Sequence, residues 1–62
     1  MQGKMKWFDS KKGFGFITYD ESKEIFVHIS EFKGQVPQEG DNVQFEIGDG
    51  RQGPCAVNVL IE

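Results

Sequence analysis

Residues 11–17 read Lys-Lys-Gly-Phe-Gly-Phe-Ile, and the rest of the chain is organised around this stretch. Residues two apart in an extended strand point to the same face, so Phe14 and Phe16 are predicted to lie side by side. The glycines that flank Phe14 carry no side chain and leave both rings open to a flat ligand. Two rings beside two lysines suit stacked nucleobases with a phosphate backbone nearby. The alternative is that both phenylalanines belong to the core, where phenylalanine is usually found.

The length of 62 residues predicts one small domain, spanning residues 1–62, with a thin core. The single cysteine, Cys55, excludes an internal disulfide and a multi-cysteine zinc site, and neither a metal nor a cofactor is expected. The sequence has no apolar run long enough to span a membrane and no secretory signal at its start. These features predict a cytoplasmic protein.

The net charge of −3 argues at first against a nucleic-acid partner, but the charges are unevenly distributed. Residues 1–19 hold four lysines against one acid, a net charge of +3, whereas residues 20–62 hold three cations against nine acids, a net charge of −6. The basic part is also the aromatic part. A nucleic-acid partner therefore stays compatible with the composition, because the location of the charge matters more than its sum.

Polar and glycine-containing turns separate short segments that alternate in hydrophobicity. The predicted strands span residues 2–9, 14–19, 24–29, 42–48 and 55–61. In the first strand both phases contain apolar residues, so a twist or bulge is expected there. Five short strands without a long helix predict an all-β barrel or a small sandwich, and a closed barrel would remove the exposed edges of a flat sheet.

The third strand repeats the pattern of the second. Phe26 and His28 share one face, and aliphatic residues share the other: Ile25, Val27 and Ile29. Because the aliphatic face is the better candidate for the core, the two rings are expected to join those of the second strand on the outside. Four exposed rings in one patch are unusual on a small soluble protein and normally mark an interaction site.

The later part of the chain is predicted to supply the remaining core. In the fourth strand Val43, Phe45 and Ile47 are predicted to face inward, and in the fifth Val57, Val59 and Ile61 share one phase. Between the third and fourth strands, Ser30 is predicted to cap a single helical turn, after which Phe32 folds back into the core.

Four segments of the chain resemble the cold-shock domain family. Residues 4–9 (Lys-Met-Lys-Trp-Phe-Asp) resemble its first strand. Residues 12–17 (Lys-Gly-Phe-Gly-Phe-Ile) and 25–28 (Ile-Phe-Val-His) resemble its two ribonucleoprotein-type motifs, and residues 53–59 resemble its closing strand. The resemblance covers essentially the whole chain. It implies a five-stranded antiparallel barrel of the oligonucleotide-binding type that binds single-stranded RNA and DNA, acts as an RNA chaperone, and affects translation and transcription termination.

The resemblance also assigns residues to the binding site. The stacking aromatics would be Trp7, Phe14, Phe16, Phe26 and His28. The groups that contact the backbone or form hydrogen bonds would be Lys6, Asp9 and Lys12. Arg51 or Gln52 would take the place of a basic residue before Gly53. Glu24 would take that of an acid before the second motif, and Phe8 would be shared between the site and the core.

Three other classes of protein are alternatives to this interpretation. An RNA-recognition motif has similar motifs in the opposite order and needs two helices and a longer chain. A barrel that grips proline-rich peptides through its aromatic patch stays open, although the flanking lysines fit nucleic acid better. An enzyme is not expected, because one histidine, one cysteine and scattered acids provide no catalytic set. A monomer is the default expectation, and the short loop leaves strand exchange between two chains open.

Two departures from the family pattern predict a shorter binding site. Many members carry an aromatic directly after the histidine of the second motif, where this chain has Ile29. Many also have a longer loop, with another phenylalanine, where this chain has residues 34–40. We expect fewer base subsites and weaker binding than in a relative with both aromatics. Titration with oligonucleotides of increasing length checks this, and an equal minimal length and affinity in the two proteins would contradict it.

Overall fold

The computed structural model describes residues 1–50 and 53–62. Within them the backbone forms five strands and one 3-10 turn: β1 (Gln2–Asp9), β2 (Phe14–Tyr19), β3 (Lys23–His28), η1 (Ile29–Glu31), β4 (Asn42–Gly50) and β5 (Gly53–Ile61). The strands close into a barrel in the order β1-β2-β3-β5-β4. Neighbouring strands are antiparallel except β3 and β5, which pair in parallel. The all-β five-stranded barrel is confirmed.

The expected irregularity in β1 is a bulge at Lys6. Met5 pairs with Ile17 and Trp7 pairs with Phe16, so the lysine between them is an extra residue without a partner on β2. One extra residue reverses the alternation of side chains along a strand. Met5 is therefore buried and Phe8 packs against the core, while Trp7 joins the outer face.

The core lies inside the barrel and is small. Among the described residues the buried apolar side chains are Met5, Ile17, Ile25, Val27, Val43, Phe45, Ala56 and Val59. Phe8, Tyr19 and Phe32 are partly buried and pack against this cluster. The prediction that the aliphatic face of the third strand is internal is confirmed for Ile25 and Val27, and so is the return of Phe32 to the core.

The prediction for the end of the third strand is wrong in two respects. Ile29 is 37% exposed, because β3 ends at His28 and Ile29 begins the 3-10 turn instead of continuing the alternation. The turn is capped by His28 and not by Ser30: the Nδ1 atom of His28 accepts a hydrogen bond from the Ser30 backbone N–H at 3.1 Å.

Strict alternation also fails in the last two strands. Ile47, predicted to face inward, is 46% exposed. The pairing of β4 with β5 shifts register between Gln44 and Glu46, whose partners Leu60 and Val57 lie three residues apart, so the extra residue is on β5. In β5 the buried positions are Ala56 and Val59, three residues apart, because Asn58 adopts a left-handed conformation with φ of 53°. Ile61, predicted to share one phase with Val57 and Val59, is 37% exposed.

Gly15 marks the closest approach between β1 and β2. A Cβ atom at this position would collide with the carbonyl oxygen of Trp7 and lie 2.8 Å from the Cα atom of Phe8, both on the opposite backbone. Gly48 differs, because a Cβ atom there would meet only methyl groups of Val57, at 3.1 and 3.4 Å. The first obstruction cannot rotate away, whereas the second belongs to a side chain.

We therefore expect Gly15→Ala to lower the free energy of unfolding by about 1–3 kcal/mol, as overpacking typically does. In a domain of this size each kilocalorie corresponds to a fall in melting temperature of about 4–8 °C. Gly48→Ala is the matched control, and it should stay within about 0.5 kcal/mol of the parent. Thermal unfolding followed by circular dichroism measures both, and equal losses would contradict the steric argument.

Candidate nucleic-acid interface

Five rings lie together on the outer face of β1, β2 and β3. This aromatic platform consists of Trp7, Phe14, Phe16, Phe26 and His28. The pairing of β2 with β3 sets Phe14 opposite His28 and Phe16 opposite Phe26, and the bulge in β1 sets Trp7 opposite Phe16. The register of three adjacent strands therefore brings these predicted site residues together.

Four of the five rings of the aromatic platform contact one another, and two of the four contacts are edge-on. Trp7 lies with its ring centroid 5.7 Å from Phe14 and 5.5 Å from Phe16. Phe26 lies 5.7 Å from Phe14 in a stacked arrangement and 5.9 Å from Phe16 edge-on. Such pairs contribute about 0.5–1.5 kcal/mol each beyond the area they bury. Mutual contact thus holds the rings in place while their outer surfaces stay accessible.

The burial of the second strand decides between the two interpretations of its phenylalanines. Gly15 and Ile17 are buried, whereas Phe14 and Phe16 are half-buried and do not belong to the core cluster. The alternation of β2 puts the aliphatic side chain inside and both rings outside. The core interpretation of the two phenylalanines is therefore rejected.

The turn from β1 to β2 is held by Asp9. Its Oδ1 atom accepts hydrogen bonds from the backbone N–H groups of Lys11, at 2.9 Å, and Lys12, at 3.1 Å. Gly13, with φ of +80°, closes the turn by donating its N–H to the Asp9 carbonyl at 2.7 Å. This arrangement presents two exposed lysines directly before Phe14. Within the chain, Asp9 therefore orients a basic turn.

Lys6 is engaged within the protein. Its Nζ atom forms an ion pair and hydrogen bond with the Oε2 atom of Glu24, and the two side chains are 47% and 43% exposed. The bulge that orients Trp7 therefore also directs the neighbouring lysine to Glu24, near the start of β3. An exposed pair of this kind contributes about 0–1 kcal/mol, so a phosphate group can compete for the lysine.

His28 is fixed by the turn that follows it. Its Nδ1 atom accepts from the Ser30 backbone N–H and lies 2.9 Å from the Ser30 hydroxyl oxygen. In the neutral ring an accepting Nδ1 places the proton on Nε2. The exposed ring is therefore oriented at the edge of the aromatic platform with Nε2 as a donor.

Phe8 and Arg51, both named from the sequence, do not lie on the described part of the aromatic platform. Phe8 packs against the core with its ring centroid 5.1 Å from that of Phe32, so it lies beneath the outer face and not on it. Arg51 lies outside the described residues.

A groove of about 670 Å³ adjoins the aromatic platform. Its lining residues are Phe16, Phe26, His28, Glu31, Gly50, Gly53, Pro54 and Cys55. Phe26 pairs with Cys55 across the parallel contact of β3 and β5, which carries the outer surface from the rings onto β5. Sequence reasoning did not place Glu31 or Cys55 at the site, because the pairing of β3 with β5 leaves no signal in the local pattern.

The chain belongs to the cold-shock domain family. The family model described as "'Cold-shock' DNA-binding domain" matches residues 1–61. This match confirms the resemblance, and its description is that of a nucleic-acid-binding domain and not of an enzyme. Within the described residues no helix is long and apolar enough to cross a membrane.

Similar proteins occur in several bacteria. The chain is 54% identical over 64 residues to "Cold shock-like protein CspC" of Buchnera aphidicola, covering 97% of this chain and 93% of the relative. It is 54% identical over 63 residues to the protein of the same name in Escherichia coli K12, covering 95% and 91%. It is 53% identical over 64 residues to "Cold shock-like protein" of Thermotoga maritima, covering 98% and 97%.

A solved structure supports the fold independently of close sequence similarity. The structure titled "drosophila Unr CSD456" superposes with a TM-score of 0.79 at 20% identity, covering 98% of this chain and 26% of that chain. At this identity the similarity establishes the barrel alone.

Removing the carboxylate of Glu24 tests whether its ion pair with Lys6 competes with a phosphate contact by this lysine. We expect Glu24→Gln to raise affinity for a single-stranded oligonucleotide about two- to fivefold and to steepen the salt dependence by about 0.7, the increment for one further phosphate contact on a single strand. Affinity measured from 50 to 200 mM salt gives both values.

Asp20→Asn is the matched control. It removes one acid from the ion pair with Lys23, in which the Lys23 Nζ and Asp20 Oδ2 atoms are 3.5 Å apart. Asn tolerates the positive φ at that position. Equal effects of the two variants would show that only net charge matters, and a loss of affinity in Glu24→Gln would contradict the release of Lys6.

Proposed function

We propose that the protein binds single-stranded RNA and DNA by stacking bases on the aromatic platform, and that it acts as a monomeric RNA chaperone. The observation that supports this most directly is the contiguous patch of five rings outside the core, beside a basic turn. The activity requires no ATP and no cofactor. Its proposed setting is the regulation of translation and transcription in the cytoplasm.

Stacking accounts for affinity without a sequence code. Each base stacked on an aromatic ring contributes about 1–3 kcal/mol, and every base has a π-face. Three or four stacked bases would supply several kilocalories per mole. Few lysines flank the aromatic platform, so the dependence of affinity on salt should be shallow compared with that of large duplex-binding proteins.

The chaperone activity follows from the accessibility of bases. A base in a duplex is stacked and paired and cannot lie on a ring of the protein. A protein that binds only the open strand shifts the equilibrium from hairpin to open strand by its differential affinity. Mass action alone therefore melts secondary structure.

The remaining site residues are proposed in two roles. Lys6 and Lys12 would contact phosphates, as would Arg51 from its place before Gly53. Asp9 would act by holding the basic turn, and Phe8 by supporting the strand that carries Trp7. In this proposal the aromatic platform binds the bases and the lysines bind the backbone.

The fluorescence of Trp7, the single tryptophan, tests the proposal directly. We expect strong quenching by oligothymidine and oligouridine of seven nucleotides, and a weaker response to a duplex of equal charge. A proline-rich peptide should have little effect. Quenching by the peptide but by neither oligonucleotide would establish the peptide-gripping barrel instead, and no response to either oligonucleotide would refute the proposal.

A pair of phenylalanine variants separates binding from folding. Phe14→Ala should lower oligonucleotide affinity about tenfold or more, because a stacking ring is lost, and cost only about 1 kcal/mol of stability. Phe8→Ala, at the next aromatic position before the turn, should cost about 2–3 kcal/mol of stability and leave the affinity of the folded protein nearly unchanged. A large loss of stability in Phe14→Ala together with a large loss of affinity in Phe8→Ala would show instead that Phe14 is a core residue and that Phe8 contacts the ligand.

A further inference from the structure

The groove beside the aromatic platform contains a carboxylate whose presence stacking does not explain. Among the described residues that line it, Glu31 is the one acid. We propose that Glu31 selects guanine at the base subsite next to the groove. The proposal rests on the proposed function and adds a base preference to it.

Glu31 is fixed from two sides. It is half-buried and closes the 3-10 turn Ile29–Glu31, directly after His28 of the aromatic platform. Its Oε1 atom accepts a hydrogen bond from the backbone N–H of Asn58 at 3.3 Å. Asn58 is itself held by a hydrogen bond from its Nδ2 atom to Oε2 of Glu46 at 3.2 Å. A carboxylate has about four lone-pair positions, and among the described residues the only hydrogen bond to the Glu31 carboxylate is this long one, which orients the side chain.

The groove is placed to receive the edge of a stacked base. Phe16, Phe26 and His28 belong both to the aromatic platform and to the lining of the groove. A base that stacks on Phe26 or His28 therefore presents an edge towards the groove. Because a carboxylate repels phosphate, the surroundings of Glu31 favour a base edge over the backbone.

The donors of the four bases differ in how well they fit a carboxylate. Guanine offers N1–H and N2–H side by side, which allows two parallel charge-assisted hydrogen bonds to one carboxylate. Cytosine and adenine offer one amino group beside a ring nitrogen that accepts. Uracil and thymine offer one N3–H between two carbonyl oxygens, which a carboxylate repels. The expected order is guanine first, cytosine and adenine next, and uracil or thymine last.

A host–guest series of heptamers tests the preference on the unmodified protein. The host is oligothymidine of seven nucleotides, and a single guanine or cytosine replaces thymidine at each position in turn. We expect the best-placed guanine to raise affinity at least about fivefold over the host, the lower range for a bidentate contact. Affinity independent of guanine at every position would overturn the proposal. If no heptamer binds at all, the proposed function itself fails, so the two failures are distinguishable.

Two variants assign the preference to the side chain. Glu31→Gln replaces one oxygen by an amide donor, which matches O4 and N3–H of thymine as well as O6 and N1–H of guanine, so the guanine preference should disappear. Glu46→Gln removes the same charge from the other partner of Asn58, at a position outside the lining of the groove, and should keep the preference. An unchanged guanine preference in Glu31→Gln, or an equal loss in both variants, would overturn the assignment.

Discussion

The bulge at Lys6 is the constraint on which the site depends. One extra residue in β1 reverses the alternation between Met5 and Trp7, so a single strand contributes side chains to the core on both sides of a ring that faces outward. Without the bulge, the tryptophan would share the inner face with Met5, and Phe8 would point outward. The same residue carries the cation next to the aromatic platform. The local irregularity therefore sets the position of the ring, the support beneath it and the adjacent charge together.

Some of the large side chains of this small barrel lie in the core and stabilise the fold, whereas others lie on the outer face. A chain of 62 residues has a thin core, and here five rings lie on the outer face instead of adding to it. The rings recover part of this loss through contacts with one another at 5.5 to 5.9 Å. Closure of the barrel removes open strand edges that would otherwise promote association. Contacts between the rings and closure of the barrel thus allow the small domain to stay folded with aromatic side chains on its surface.

Alternating hydrophobicity and turn signals predict the fold well where the paired strands follow each other in the sequence. The bounds of β1 and β2, the burial of Ile25 and Val27, and the outward position of Phe14 and Phe16 all follow from a period of two. The predictions fail where the backbone departs from that period: Ile29 enters a 3-10 turn, and β5 has an extra residue opposite β4. The groove could not be predicted, because it depends on the parallel pairing of β3 with β5, residues far apart in the chain.

Two charged groups beside the aromatic platform are engaged within the protein. Lys6 pairs with Glu24, and Asp9 holds the basic turn. A ligand therefore exchanges existing contacts for new ones, and the electrostatic gain is small, in keeping with a net charge of −3. Most of the affinity in the proposed function must then come from stacking. This contribution is lost when a base pairs with its complementary base. Binding that depends on base exposure and only weakly on charge is what a chaperone requires, since it has to release a strand once that strand can pair correctly.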